Sequence, residues 1–263
     1  MHATKGNGKL AKRIGVFDIL VLFELVCRGA KDCIGWCFAL KQQNSHLGVL
    51  LKRLENLEET LRPDFPDRMV QWISQSGVEV MSFNHAADFW GQKYVNDCAE
   101  IAKRLPHKLF NCYTKSLDLD LTPLTNCPNW IVIKSYGGKF NRLIDQTTDN
   151  YARVIHDPSE AKPEEKICPD RGKKQNTLMY GQGKICGSTE ANGCTYCFTL
   201  GHQIRLCFLM KKKGWNGSRL IFKPKPKKMT PEIAAQLKEI AARIRAASRK
   251  IIATSLSARG FEP

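Results

Sequence analysis

Cysteine is the residue type that carries most of the chemical information in this 263-residue chain. Eleven cysteines are present, an odd number, and most fall into two groups. The first group is Cys27, Cys33 and Cys37, and the second is Cys168, Cys186, Cys194, Cys197 and Cys207. The polar N-terminus lacks the apolar segment of a secretory signal, so a disulfide framework is not expected. Reduced, clustered cysteines predict ligation of a metal ion or an iron–sulfur cluster.

The first group lies on one short loop, with five residues between Cys27 and Cys33 and three between Cys33 and Cys37. Three thiolates on one loop suit three irons of a 4Fe–4S cluster and leave the fourth iron open to another ligand. A structural zinc site is the alternative, and it needs a fourth protein ligand, for which His46, His85 and Cys112 are candidates. Ligand count and position favour iron–sulfur over zinc.

The second group supplies four thiolates from Cys168, Cys186, Cys194 and Cys197. Cys194 and Cys197 are separated by two residues, the spacing of a metal-binding knuckle, and nearby glycines permit tight turns. Four thiolates suit either a tetrahedral zinc ion or a second 4Fe–4S cluster, and both assignments stay open.

Predicted strands alternate with predicted helices, most clearly in the first half of the chain. The predicted strands are Asp18–Val26, Val78–Phe83, Lys108–Tyr113, Trp130–Ser135 and Ala152–His156. Repeated β-α units of this kind predict an α/β fold, as a partial (β/α) barrel or curved parallel sheet. We expect an α/β domain at residues 1–160, a cysteine-rich metal-binding region at 161–222, and a basic linker and C-terminal helix at 223–263.

Polar or glycine-rich segments follow the predicted strands, where parallel α/β folds bind ligands. The candidate cofactor-binding residues are Trp36, His85, Asp88, Lys115, Gly137 and Gly138. Structural roles compete with these assignments: Asp88 can cap a loop, Lys115 can be solvated, and the glycines can serve a turn. Glu24 lies inside an apolar strand, where it would either face the site or pair with a basic residue.

The first loop resembles the cluster-binding loop of radical S-adenosylmethionine enzymes. Three clustered cysteines follow the first predicted strand, Trp36 precedes the third cysteine, and β-α units come after. The cysteine spacing is longer than that superfamily's usual one, and residues 85–89 stand where a Gly-Gly-Glu motif is usual. The resemblance implies S-adenosylmethionine on the open iron, an external electron donor and a deoxyadenosyl radical.

Longer segments resemble the phage and plasmid family called gene product eighty-eight. They are Gly6–Leu10, Cys27–Ala39, Phe83–Trp90 and Phe110–Leu117, and the second cysteine group also fits. The resemblance covers roughly residues 6–200 and is specific in the order and spacing of its parts. It implies a metal-bearing phage or plasmid protein in the host cytoplasm, more firmly than it implies a reaction.

Charge is concentrated at the C-terminus. The net charge is +16, and residues 211–263 supply +11 of it through 14 Lys and Arg against three Glu. The tail predicts a nucleic-acid partner or, equally, only a gain in solubility. Its helix, residues 230–254, carries an apolar stripe that we expect to dock on the main domain. No apolar run reaches the roughly 18 residues of a membrane helix, so we expect a cytoplasmic protein without a membrane partner.

Overall fold

The computed structural model describes residues 1–6, 10–168, 185–186, 188–190, 193–209 and 231–257. Within these ranges, eight strands form one sheet and two more form a small ribbon. In chain order the strands are β1 (Thr4–Lys5), β2 (Ile14–Phe17), β3 (Val80–Phe83), β4 (Leu109–Thr114), β5 (Trp130–Ser135), β6 (Tyr151–Ile155), β7 (Lys166–Ile167), β8 (Ile185–Cys186), β9 (Gly193–Cys194) and β10 (Arg205–Leu209). The predicted Lys-Pro linker at 223–228 lies outside the described residues.

The large sheet has the order β1-β2-β3-β4-β5-β6-β10-β7, and every pair except β1 with β2 is parallel. From β2 to β6 each strand lies beside the next one in sequence, without the reversal of a doubly wound sheet. This succession is that of a (β/α) barrel wall, but the sheet is open, with β1 and β7 as its edges. The prediction of an α/β fold with a largely parallel sheet is confirmed.

Most of the helices connect the strands. They are α1 (Phe38–Ser45), α2 (Leu47–Thr60), α3 (Phe65–Ser76), α4 (Gln92–Arg104), α5 (Thr122–Thr125) and α6 (Pro231–Ser257). Leucines at helical spacing along α2 bury one stripe, including Leu50, Leu54 and Leu57. None of the described helices has the length and apolar character that crossing a bilayer needs.

The two faces of the sheet are covered by different parts of the chain, because successive strand side chains point to opposite faces. On the helix-covered face, Phe83, Phe110 and Trp130 stack with ring centroids 5.3–6.5 Å apart. On the opposite face, Val80 and Ile131 pack with residues of the second cysteine group and with Phe198 and Ile204. We call this second side the cysteine-covered face.

The predicted strand at Asp18–Val26 is wrong. The strand is Ile14–Phe17, and the apolar run after it is irregular, with Glu24 at a φ of +67°. The run is apolar because it is buried: Val21 is 2% exposed, and its backbone N–H and C=O bond to the side chain of Gln43 instead of a neighbouring strand. Glu24 itself is exposed and forms an ion pair with Lys139, so it is not a buried charge.

Helix α6 docks on the main body as expected. Ile240, Ala247 and Ile251 are buried in the core of the helix-covered face. Arg243 donates two hydrogen bonds to the carboxylate of Glu58 on α2, at 2.7 and 3.0 Å. The apolar stripe of the C-terminal helix is therefore covered within one chain.

Candidate metal centre

The first cysteine group lies on the segment that joins β2 to α1. Cys27 follows a turn in which its N–H donates to the Leu22 carbonyl at 2.9 Å, and Cys33 lies in a short 3-10 helix, Asp32–Trp36. Cys37 is the N-cap of α1, where its Sγ accepts a hydrogen bond from Leu40 N–H at 3.3 Å. The sequence thus places a sulfur acceptor at a helix N-terminus, where the helix dipole favours a thiolate.

The three thiols lie close enough to influence one another's ionisation. Burial raises the pKa of Cys27 well above its ordinary value, and Asp88, Cys37 and Cys33 add to the rise while Lys115 opposes it. Burial also raises the pKa of Cys37, against the hydrogen bond from Leu40 N–H. Because a metal binds the thiolate, ligation at this loop must displace protons from the thiols.

The loops after three further strands meet the cysteine loop at the carboxyl edge of the sheet. The N–H groups of Asp32 and Cys33 donate to the Gly137 carbonyl at 3.0 and 3.3 Å. Lys139 N–H donates to the Gly29 carbonyl at 2.8 Å. The loop after β5 is therefore bonded to the cysteine loop at two points.

Two glycines allow this close approach. A Cβ at Gly29 would lie 1.8 Å from the carbonyl oxygen of Lys115, and one at Gly138 would lie 2.8 Å from the carbonyl oxygen of Gly29. Neither position has room for a side chain, although Gly138 was a candidate for contact with a cofactor. The structure gives that space to the neighbouring backbone. Gly137 has a φ of +84° and lies under the ring of Trp36, 3.8 Å from a Cβ placed there.

Asp88 ties the loop after β3 to the end of β4. Its carboxylate accepts hydrogen bonds from Thr114 Oγ1 and Lys115 N–H, both at 2.7 Å, and from Phe89 N–H at 2.8 Å. Asp88 is 5% exposed, and burial raises its pKa despite these bonds. These three hydrogen bonds come from the protein itself, so Asp88 joins the loop after β3 to the end of β4.

His85 lies on the same loop, half-buried, with Nε2 2.6 Å from Ser82 Oγ and its ring edge-on to Tyr113. Burial lowers its pKa, so the imidazole is neutral at pH 7. Two residues of this loop, Asn84 and Ala87, have φ angles of +61° and +70°. Left-handed backbone is costly for alanine, so packing must hold the loop in this shape.

Lys115 and Trp36 line the rim of the site. The Lys115 side chain runs beside the glycine pair, with Cε 4.0 Å from a Cβ placed at Gly137. Trp36 is half-buried, and its Cζ2 lies 3.8 Å from the same Cβ position. The structure therefore brings five of the six candidate cofactor-binding residues to the loops around the three cysteines, whereas the His85 side chain lies against Ser82 and Tyr113.

The first group offers three thiol donors for the 4Fe–4S cluster that the sequence predicts. Within the described ranges, no three Cys, His, Asp or Glu side chains are arranged so that they hold a metal ion, so binding requires the thiols to turn towards one another. Each of the three fourth zinc ligands considered above has a contact in the structure, and His85 Nε2 lies 2.6 Å from Ser82 Oγ. His46 Nδ1 lies 3.2 Å from the Gln42 carbonyl, and Cys112 accepts from Trp130 Nε1 in the helix-covered core. Three thiols on one loop fit a cluster with one open iron.

The second cysteine group packs on the cysteine-covered face around Tyr113. Pairing of β8 with β9 sets Cys186 opposite Cys194, and Cys197 lies in the 3-10 turn that follows. The thiols of Cys197, Cys186 and Cys168 all influence the Tyr113 hydroxyl, whose pKa is raised well above its ordinary value, first by burial. Burial likewise raises the pKa of Cys197 to about 11.

Two further residues of that region are engaged in other contacts. Cys207 is fully buried and its Sγ lies 3.2 Å from Glu165 Oε2, and the His202 ring lies against Tyr196, with centroids 4.8 Å apart. Cys168, Cys186, Cys194 and Cys197 remain as the four thiols of the second group.

The fold and the site define a class: an open, singly wound α/β sheet with three cysteines at its carboxyl edge and four more on one face. Residues 3–200 match the family model of Gene product 88, and the chain belongs to that family. The comparisons with curated proteins and with solved structures give no match.

Some residues that shape the site were missed at the level of sequence. Gly29 permits the approach of Lys115, and Asp18 accepts a hydrogen bond from Ala86 N–H at 2.8 Å. Arg53 reaches from α2 to the carbonyl of Ala39 at 2.7 Å and lies near Cys37. A glycine inside a cysteine loop was the available signal for Gly29, whereas the other contacts depend on tertiary packing.

Proposed function

We propose that this chain is an iron–sulfur enzyme of the radical S-adenosylmethionine type, in which Cys27, Cys33 and Cys37 hold a 4Fe–4S cluster. One observation carries the proposal: three thiols from one loop lie at the carboxyl edge of a singly wound parallel sheet, where loops from three more strands converge. Parallel α/β sheets bind their ligands at this edge.

The number of donors supports an open cluster rather than a closed zinc site. Structural zinc is bound by four protein ligands, and the cysteine loop itself supplies three thiols. A cluster with three cysteine ligands keeps one iron open to a small molecule.

The chain's own residues have identifiable tasks in such a site. When bound with S-adenosylmethionine, the cluster would supply one electron for cleavage of the sulfonium, and an external donor would replace it. Lys115 places a cation beside Cys27 and is suited to a carboxylate. Trp36 lies within van der Waals distance of the Gly137 turn, where its ring could contact a bound ligand. Asp88 and Gly29 hold the loops in place.

The second group has four thiols, which match either a zinc ion or a second 4Fe–4S cluster. A closed set of four protein ligands is typical of a structural site. This observation also favours a second candidate function, a non-catalytic zinc-stabilised protein of a mobile element that binds nucleic acid.

Anaerobic reconstitution, followed by iron, sulfide and zinc analysis, tests the proposal. The wild-type chain should be brown, and replacement of Cys27, Cys33 and Cys37 by Ala should remove about four irons. The matched control replaces Cys186, Cys194 and Cys197 by Ala, and it should keep the iron of the first loop. A colourless wild-type protein with two zinc ions would instead support the second candidate function.

A further inference from the structure

The surface around the first cysteine loop exposes large apolar side chains. Phe38, which directly follows Cys37, is 59% exposed, and Leu143 is 47% exposed. Trp36, two residues before Phe38, is half-buried. Single exposed apolar side chains are common, whereas several of them grouped beside a site mark a binding surface.

Backbone contacts bring the loop that leads to Leu143 up to the cysteine loop that leads to Phe38. The cysteine loop is bonded to Gly137 and Lys139, as described above. The N–H of Gly138 donates to Asn141 Oδ1 at 3.0 Å, which fixes the start of the short helix that carries Arg142 and Leu143. We use the name mouth patch for the residues Lys31, Trp36, Phe38, Lys115, Arg142 and Leu143.

The mouth patch carries an excess of positive charge that is not neutralised within the protein. Lys31 and Arg142 are exposed, Lys115 is half-buried, and none of the three forms an ion pair with a described residue. Two other cations of these loops are neutralised, since Arg28 pairs with Asp118 and Lys139 pairs with Glu24. Two carboxylates lie near the three cations: Asp32, which is exposed, and Asp88, which is buried and accepts from Lys115 N–H.

Aromatic rings together with cations are the combination that binds single-stranded nucleic acid. Unstacked bases lie on the rings, and lysine and arginine contact the phosphates. A duplex keeps its bases stacked inside and makes no use of exposed rings. Helix α6 offers the contrasting surface: Lys238, Arg245, Arg249 and Lys250 are exposed there, but the helix contains no aromatic residue.

We propose that the mouth patch binds single-stranded nucleic acid and thereby presents a nucleotide to the first cysteine site. This inference rests on the proposed function for the identity of the reaction, which it deepens by naming a substrate class. The binding itself depends only on the surface of the chain.

Fluorescence anisotropy with a labelled single-stranded oligothymidylate tests the proposal, with the full-length protein in both metal-free and reconstituted forms. Phe38→Ala and the double variant Lys31→Gln with Arg142→Gln should each weaken binding at least about fivefold. The matched control, Arg245→Gln with Arg249→Gln on α6, removes the same charge from the basic helix and should have a smaller effect. Phe38 is exposed, so its replacement should leave folding and iron content unchanged.

Equal losses in the mouth and α6 variants, or unchanged binding in the mouth variants, would overturn the proposal. The proposal would also be overturned if Phe38→Ala weakened the affinity for a duplex as much as the affinity for the single strand, because stacking needs unpaired bases. Oligonucleotide binding at the mouth patch by a protein that takes up no iron would leave this inference standing and defeat the iron–sulfur proposal. Full iron uptake without oligonucleotide binding at the mouth patch would defeat this inference and leave the iron–sulfur proposal standing.

Discussion

The two cysteine groups differ in how the chain assembles them. The first comes from one loop of eleven residues, offers three thiols, and lies among loops that end four parallel strands. The second offers four thiols drawn from several separate segments, and it packs onto one face of the sheet around Tyr113. Three donors with an open position are suited to chemistry, whereas four donors that close a site are suited to structure. The comparison therefore separates the two groups by donor number and surroundings.

Crowding of the loops around the first group gives the largest expected effect. Gly29→Ala would place a Cβ 1.8 Å from a backbone oxygen, so the loops after β2 and β4 must move apart. We expect a loss of about 3 kcal/mol or more in the free energy of unfolding, measured by urea denaturation, with loss of iron from the first group.

Gly35 in the same loop is the matched control, because a Cβ placed there meets nothing within 4 Å. Gly35→Ala should change the stability by less than about 1 kcal/mol. Equal effects of the two substitutions would show that the close packing at Gly29 does not shape the site.

This contrast also shows how far the sequence predicts the molecule. The helical spacing of apolar residues in α2 and the short apolar runs of β3 to β6 can be read from neighbouring residues alone. These patterns therefore predict the alternation of strands and helices and, with it, a parallel sheet. The predicted strand at Asp18–Val26 was wrong because an apolar run indicates only that a segment is buried. It does not show what its backbone bonds to, and here Val21 bonds to the Gln43 side chain instead of a neighbouring strand. The roles of Asp88 and Gly29 depend on contacts with residues 26 to 86 positions away, and no local pattern encodes those distances.

Two buried carboxylates should give opposite dependence of stability on pH. Near the first group, burial raises the pKa of Asp88, so its ionisation opposes folding as the pH rises. Near the second group, burial alone would raise the pKa of Glu165, but hydrogen bonds, first from the Arg153 side chain and then from Lys162 N–H, lower it to about 2. The stability that Glu165 contributes is complete above its unfolded pKa and is lost as the pH falls towards 2.

The free energy of unfolding of the wild type and of each amide variant can be measured by urea denaturation from about pH 2.5 to 7, the range in which carboxyl groups titrate. The stability advantage of the wild type over Glu165→Gln should grow as the pH rises, and its advantage over Asp88→Asn should shrink. Each substitution should also cost about 1–3 kcal/mol at pH 7, since a buried hydrogen-bond acceptor is altered. Parallel pH curves for the two variants would contradict the different environments of the two carboxylates.

The second group should respond to Tyr113, and this is the smallest of the expected effects. Its hydroxyl is hydrogen-bonded with the Cys197 thiol and lies near the thiols of Cys186 and Cys168, and a hydrogen bond of that kind orients metal ligands. Tyr113→Phe should weaken the metal affinity of the second group about tenfold, measured by competition with a chelator. Tyr136→Phe is the control, because its hydroxyl accepts from Gln146 on the surface. Equal metal affinities in the two variants would show that the Tyr113 hydroxyl does not orient the ligands of the second group.

The central claim is that the first group holds a cluster with one iron open to S-adenosylmethionine. Electron paramagnetic resonance of the reduced, reconstituted protein tests it directly, with the second group replaced so that one cluster remains. Addition of S-adenosylmethionine should change the g values of that signal, because the ligand binds the open iron. An intact cluster whose spectrum is unchanged at saturating S-adenosylmethionine would contradict the account.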